Sequence, residues 1–223
     1  LRLTQSVPST RTYRRPADFR WASVDGLPCQ GWLYRPEGKS KGFIAYIHGG
    51  PTWHSEDWVN PKVGFWAQSG FAVLDPNYRG STGFGKEFVN KSDGEWAGKM
   101  HDDLLDAVDW AVKNGVTTKD DVAIMGGSYG GYATLTGLTF TPDTFKCGVD
   151  IVGPSNLNTL LATIPPYWAA FFEQFAKRVG DPRTEAGRKL LEERSPLTHV
   201  AKISKPLLIG QGANDPRVKQ PES

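Results

Sequence analysis

Apolar residues recur along the chain in short blocks separated by polar, glycine-bearing joints, and the spacing within each block decides what it can form. Val122-Ala123-Ile124-Met125 is an uninterrupted apolar run, the pattern of a strand covered on both faces. It leads into Gly126-Gly127-Ser128-Tyr129-Gly130-Gly131, after which Tyr132 to Leu138 can continue as a helix. Phe43 to Ile47, Phe71 to Leu74, Cys147 to Val152 and Pro206 to Ile209 are comparable blocks. Helical spacings lie between them. Asn60-Pro61 offers an N-cap and a first-turn proline; Val63, Trp66 and Ala67 then share one face, and Gly70 suits the stop. Asp102 and Asp103 open a second helix, where carboxylates complement the positive dipole end. Leu104, Leu105, Val108, Ala111 and Val112 form its stripe, and Gly115 ends it. A bulky segment holding Tyr167, Trp168, Phe171, Phe172 and Phe175 comes next, and Asp181-Pro182 and Ser195-Pro196 after it each mark a further helix start.

Upstream, Phe19 to Ser23 and Gln30 to Tyr34 flank Asp25-Gly26, a hairpin signal, with Pro28 suited to an edge position. Residues 1–16 are polar and basic, carry Pro8 and Pro16, and show no periodicity. They read as a linker or arm, leaving 17–223 as one domain. From the third strand onward, strands and helices alternate. The fold class is therefore α/β, a mostly parallel central sheet with helices on both faces behind an N-terminal β-hairpin. Reactive groups then belong beyond the carboxyl ends of the strands. His48, Gly50, Ser128 and Asp215 all follow apolar runs.

Composition narrows the functional classes. A chain of 223 residues holds one good-sized core. A net charge of +2, with no basic cluster beyond Arg14-Arg15, argues against nucleic acid as a partner. No apolar run approaches a membrane span, so no membrane partner is expected. Cys29 and Cys147 lie far apart without metal spacing, which reads as two free thiols in a reducing, cytoplasmic compartment and no metal. The chain begins without Met or a signal-peptide core, as expected of a processed chain or a piece of a longer one.

The chemistry concentrates at G-x-S-x-G. A buried strand turning sharply into a helix with Ser128 at the apex is a nucleophile elbow, the helix N-terminus beneath it favouring negative charge. The plainer reading is a glycine-rich turn closing an ordinary β-α unit, since 25 glycines make the bare pattern weak. The earlier Gly80 to Gly85 run lacks the Lys-Ser/Thr ending of a phosphate cradle.

Four stretches in order are far more specific: His48-Gly49-Gly50-Pro51, Asn77-Tyr78-Arg79-Gly80-Ser81-Thr82-Gly83, Gly126 to Gly131, and Gly212-Ala213-Asn214-Asp215-Pro216-Arg217-Val218. Together they resemble the catalytic domain of prolyl oligopeptidase-type serine peptidases, nearest the acylaminoacyl-peptidase and dipeptidyl-peptidase-like branch. The resemblance implies an α/β-hydrolase fold, a peptide substrate, no cofactor, and a β-propeller elsewhere in the parent protein. It makes Ser128 the nucleophile, Asp215 the triad acid, and the main-chain N–H groups of Gly50 and Tyr129 the oxyanion hole. Tyr129, Tyr167 and Trp168 would line the substrate pocket.

One feature departs from that pattern. The superfamily order is Ser, acid, then His, yet His48, His54, His101 and His199 all precede Asp215. The triad His, the last strand and the last helix are therefore expected to be missing, leaving the fragment close to inactive. Leu207-Leu208-Ile209 would then form an uncovered edge that self-associates. The rival readings are an esterase or acyl hydrolase with the same machinery, and a non-catalytic pseudoenzyme or binding module.

Overall fold

The computed structural model describes residues 15–57 and 60–223, so nearly all of the expected arm at 1–16 lies outside the described residues. Seven strands form one sheet: β1 Ala17–Ala22, β2 Pro28–Tyr34, β3 Phe43–Ile47, β4 Ala72–Asn77, β5 Val122–Gly127, β6 Cys147–Ile151 and β7 Leu207–Gly210. Their order is β1-β2-β4-β3-β5-β6-β7. The hairpin strands are antiparallel to each other, and β2 is antiparallel to β4. From β4 through β7 every pairing is parallel.

Each parallel strand needs cover on both faces, and the chain supplies it unequally. On one side Phe43, Ala45, Ile47, Leu74, Val122 and Ile124 share a core with helix α3 (Lys99–Lys113) and helix α4 (Tyr129–Phe140). On the other, Ile44 and Val73 pack with Val63 of helix α1 (Pro61–Gln68), and half-buried Ala123 and Met125 lie against them. The unbroken apolar run of β5 thus serves two cores at once. Burying Val122 and Ile124 completely contributes about 1.5–3 kcal/mol each.

The helix signals mark the right places, with instructive shifts. Asn60 caps α1 by accepting from the main-chain N–H groups of Lys62 and Val63. The Gly80 to Gly85 loop runs into a short helix, α2 (Lys86–Asn90), that no apolar stripe announced. Helix α5 (Leu157–Ala162) follows β6, and the aromatic segment forms a 3-10 stretch at Pro166–Phe171 and helix α6 (Phe172–Arg178). Helix α7 (Glu185–Glu193) is capped by Thr184, not begun by Asp181, whose carboxylate instead accepts from Arg183 N–H at 2.9 Å. Ser195-Pro196 opens a 3-10 stretch, Pro196–Lys202, but the Ser195 hydroxyl caps a different element, accepting from Leu157 N–H at 2.9 Å.

Two strand readings change as well. Pro28 is not at the sheet edge, because β2 lies between β1 and β4; it is the strand's first residue and precedes Gln30, where β4 pairing begins. Strand β7 is the outer strand among the described residues, and Leu208 is 64% exposed. Cys29 and Cys147 are both free thiols. No helix among the described residues is long and apolar enough to cross a membrane.

Asp103 is the largest departure. It does not complement a dipole at the surface; it is fully buried against Arg79, itself only 1% exposed. Its Oδ2 accepts from both the main-chain N–H and Nε of Arg79 at 2.8 Å, and its Oδ1 from Nη2 at 2.7 Å. The other edge of the guanidinium reaches Asp25 in the hairpin turn, at 2.9 and 3.0 Å. Val24 N–H reaches Asp106 of α3 at 2.7 Å. One cation therefore joins the hairpin, the loop after β4, and α3. Removing it leaves Asp103 charged and unpaired in the interior, which typically costs about 3–5 kcal/mol. Chemical denaturation of the full-length gene product at pH 7 should show that loss for Arg79→Met, and a smaller one for Asp25→Asn at the exposed end of the network.

Candidate active site

The elbow is built by backbone proximity. Ser128 sits between β5 and α4 with φ 56° and ψ −118°, a conformation that non-glycine residues adopt only under constraint. Two hydrogen bonds and two close main-chain approaches supply that constraint. Ser128 N–H donates to Ile151 O at 2.9 Å, and Ser128 O accepts from Tyr132 N–H at 3.0 Å. A methyl on Gly126 would lie 2.5 Å from the carbonyl carbon of Gly130, and one on Gly130 2.0 Å from Ile47 O. Glycine at both positions is therefore a steric requirement of the crossing. The result is an exposed Ser128 side chain at the start of a helix whose first N–H groups have no intrahelical acceptor. Tyr129 N–H donates no hydrogen bond among the described residues.

The loop after β3 passes directly over this apex. A Cβ on Gly49 would come within 3.4 Å of Ser128 Cβ and 3.0 Å of Gly127 O. Gly50 follows at φ 121°, its N–H likewise without an acceptor among the described residues. Both expected oxyanion donors thus belong to segments meeting at Ser128. What holds the loop there is the Asn77 to Gly83 stretch. The Tyr78 hydroxyl donates to His48 O at 2.8 Å, and its ring stacks on the imidazole at 4.5 Å. His48 Nε2 lies 2.9 Å from Ser81 Oγ. Asn77 Oδ1 accepts from Ser55 N–H at 2.7 Å, while its amide donates to Ser55 O at 3.0 Å. Thr82 N–H donates to Trp53 O at 2.8 Å. The second motif is the backing plate of the first.

Burial tunes the groups behind this loop. It lowers the His48 imidazole to about 4, so the ring is neutral at physiological pH and acts as a fixed strut. It raises the Asp75 carboxyl to about 7, the hydrogen bond from Ser55 opposing the shift. Asp150, on β6 beside the elbow, is likewise raised to about 7 by burial, against the N–H of Gly153 donating at 2.8 Å.

Asp215 follows β7, on the side of the sheet where Ser128 follows β5, with β6 between them. Its Oδ1 accepts from Arg217 N–H at 2.8 Å and Val218 N–H at 3.0 Å, tying one oxygen into its own loop. Arg217 lies over the Trp168 ring, 5.7 Å from its centroid, so the acid loop touches the aromatic segment. Trp168 also stacks on Phe175 at 5.8 Å. Tyr167 is exposed, whereas the Tyr129 ring is 3% exposed, packed among Tyr78, Trp96 and Tyr132. As a pocket residue Tyr129 is thus misplaced in this arrangement; its ring supports the elbow from below.

All four histidines are engaged elsewhere. His54 meets Thr82 and Glu56, His101 meets Thr141, and His199 meets Glu193 O and the Phe140 ring. None bonds to Ser128 or Asp215 among the described residues.

The comparisons with known proteins carry the same geometry to a family. The model of the prolyl oligopeptidase family matches residues 58–223. The chain belongs to that family. It is 72% identical over 181 residues to dipeptidyl aminopeptidase BIII of Pseudoxanthomonas mexicana, a match covering 81% of this chain and 26% of that protein. It is 54% identical over 181 residues to dipeptidyl peptidase family member 6 of Caenorhabditis elegans, covering 81% and 24%. Among solved structures, the acylaminoacyl peptidase of Pyrococcus horikoshii superposes with a TM-score of 0.86 at 26% identity, covering 96% of this chain and 34% of that one. The chain spans about a quarter of the length of these curated relatives. The fold is accordingly the α/β-hydrolase fold of prolyl oligopeptidase-family peptidases, a hydrolase family.

The prolyl oligopeptidase motifs marked Ser128, Gly50 and Asp215 from sequence, but gave no physical reason for Asn77-Tyr78-Arg79-Gly80-Ser81. Nothing local to Ser55, Asp75 or Ser81 marks them as supports of the loop; only pairing across the sheet does. A buried carboxyl whose pKa exceeds its unfolded value of about 3.9 destabilises the fold as pH rises. Between pH 4 and 7 the unfolded chain has released the Asp75 proton that the folded chain still holds. Asp75→Asn, which can still accept from Ser55, should therefore gain Tm relative to wild type as pH is raised from 5 to 8. Thermal melts of the two full-length proteins across that range should show the difference widening.

Proposed function

We propose that this chain carries the catalytic site of a serine peptidase that cleaves peptide bonds through an acyl-enzyme on Ser128. The observation that carries the reading is Ser128, held at φ 56° at the N-cap of α4, where two segments meet whose Gly50 and Tyr129 N–H groups have no acceptor among the described residues. Ser128 Oγ attacks the carbonyl carbon, and the developing oxyanion takes those two N–H groups, each worth about 2.7–4 kcal/mol in such a site. Asp215 keeps its second carboxylate oxygen for an imidazole, which holds the Ser128 proton and returns it to the leaving amine. None of His48, His54, His101 and His199 bonds to Ser128 or Asp215 among the described residues. Water then hydrolyses the ester. The names of the two relatives quoted, both dipeptidyl peptidases, support release of dipeptides from a free amino terminus. Those two relatives extend well beyond the matched stretch, which covers 26% and 24% of their lengths, and this supports a further domain, a β-propeller that screens substrates by size.

A fluorophosphonate probe should label the full-length gene product at Ser128 and fail to label Ser128→Ala. Dipeptidyl anilides should turn over faster than acylaminoacyl anilides or acyl esters. Preferential ester hydrolysis would move the assignment to an acyl hydrolase, and absence of labelling in the full-length protein would make the domain a pseudoenzyme. Residues 1–223 alone should label at least ~10³-fold more slowly than the full-length protein, the scale of losing one triad member. The uncovered β7 edge should make that fragment associate in sedimentation.

A further inference from the structure

Residues 150–156 hold Ser128 directly, and Glu222, on the loop that follows Asp215, ties that loop to the same stretch. At one end, Ile151 O accepts the N–H of Ser128 at 2.9 Å. At the other, Oε2 of Glu222 accepts from Ser155 N–H at 2.9 Å, Asn156 N–H at 2.9 Å and Ser155 Oγ at 3.2 Å. Its second oxygen accepts from Thr159 Oγ1. Glu222 is 7% exposed, although it lies in a surface turn. Its partners are more than sixty residues away in sequence.

The stretch between these anchors is stiff. Val152 sits at φ 51°, an outlier for a β-branched residue, and is pinned by its N–H to Gly210 O at 2.8 Å. Asp150 Oδ1 takes Gly153 N–H at 2.8 Å, closing the turn. A methyl on Gly131 would lie 2.7 Å from Gly153 Cα, so the first turn of α4 rests on the same turn. The stretch from Asp215 to Glu222 is equally short of freedom. Asp215 Oδ1 holds Arg217 and Val218, and Val218 O accepts from Gln211 Nε2 at 2.8 Å.

We propose that Glu222 is a positioning residue: by fastening the acid loop to residues 155–159, it sets the Asp215 carboxylate relative to Ser128. The inference rests on the serine peptidase reading above. A carboxylate suits the task because one oxygen can take two main-chain N–H groups at once, in charge-assisted bonds. Losing it frees the loop at one end while Arg217 and Val218 still turn with Asp215. The expected consequence is a triad acid displaced by a fraction of an ångström, and misplacement on the 1 Å scale costs about 10²-fold in rate.

The test uses the full-length gene product and a dipeptidyl 4-nitroanilide. Glu222→Ala should lose kcat by roughly 10²-fold with KM within about twofold. The acid limb of its kcat/KM profile should move about one pH unit lower, because an imidazole without a well-placed carboxylate is easier to deprotonate. Glu222→Gln should recover most of both, since its amide oxygen can still accept from Ser155 and Asn156. Wild-type kcat and an unmoved limb in Glu222→Ala would overturn the assignment, as would a KM effect alone. If Glu222→Ala does not fold, Thr159→Val carries the test, since Thr159 is at the surface. It should lower kcat severalfold and move the limb the same way; unchanged values would overturn the assignment. A wild-type protein that neither labels at Ser128 nor hydrolyses the anilide would instead overturn the peptidase reading, and this inference with it.

Discussion

The main chains of α4 and β3 approach too closely to admit a side chain between them. Helix α4 starts so near the end of β3 that a single methyl group on Gly130 would sit inside a carbonyl oxygen's radius. Everything reactive depends on that approach. It forces the chain through a positive φ at Ser128, leaves that side chain exposed, and leaves the first N–H groups of α4 without intrahelical acceptors. Such strain persists only when its surroundings over-determine it. Here the surroundings are β3 on one side, through Ile47, and β6 on the other, through Ile151.

The same dependence explains why the polar interior is large. Arg79, Asp103, Asp75, Asn77, His48 and Asp150 are all buried, and buried polar groups of this kind contribute little net stability when replaced together by apolar ones. Their common feature is location. Arg79 and Asp103 lock the loop after β4 onto α3, Asn77 and Asp75 hold Ser55, and Asp150 holds the turn beside α4. Each acts on a loop that leaves the carboxyl end of a strand, where irregular backbone would otherwise carry the reactive groups loosely.

Much of this was legible in the sequence, and the boundary follows from physics. Strands β3 and β5 show in apolar runs because cover on both faces demands them; α1 shows in Asn60-Pro61 because capping is local. Gly126 is readable for the same reason, since its clash partner Gly130 lies four residues away, whereas that of Gly130 is the distant Ile47. Asp103 is not. As a second acid at a helix start it looks like a dipole partner, and only Arg79, twenty-four positions earlier, shows otherwise. Tyr129 misled in the opposite direction. A residue beside the nucleophile in sequence is drawn toward the substrate, yet the helix turns its ring inward against Tyr78 and Trp96.

The acid loop shows what a motif leaves unsaid. Gly212-x-x-Asp215 names a carboxylate but not what aims it, and aim is a property of both ends of a loop. One end is fixed by β7, through the pairing of Gly210 with Ile151. Without a second anchor, Asp215 would swing on that strand end as loops do, over distances larger than a hydrogen bond tolerates. Glu222 and Arg217 supply anchors of different kinds. Arg217 rests on an aromatic face, Trp168, whose contact is weakly directional. Glu222 grips two N–H groups, which is directional, at residues four and five positions beyond the carbonyl that holds Ser128. The ruler between Ser128 and the Asp215 loop is therefore a half-dozen residues of stiff main chain, and its two end marks are the N–H of Ser128 on one side and the Glu222 carboxylate on the other.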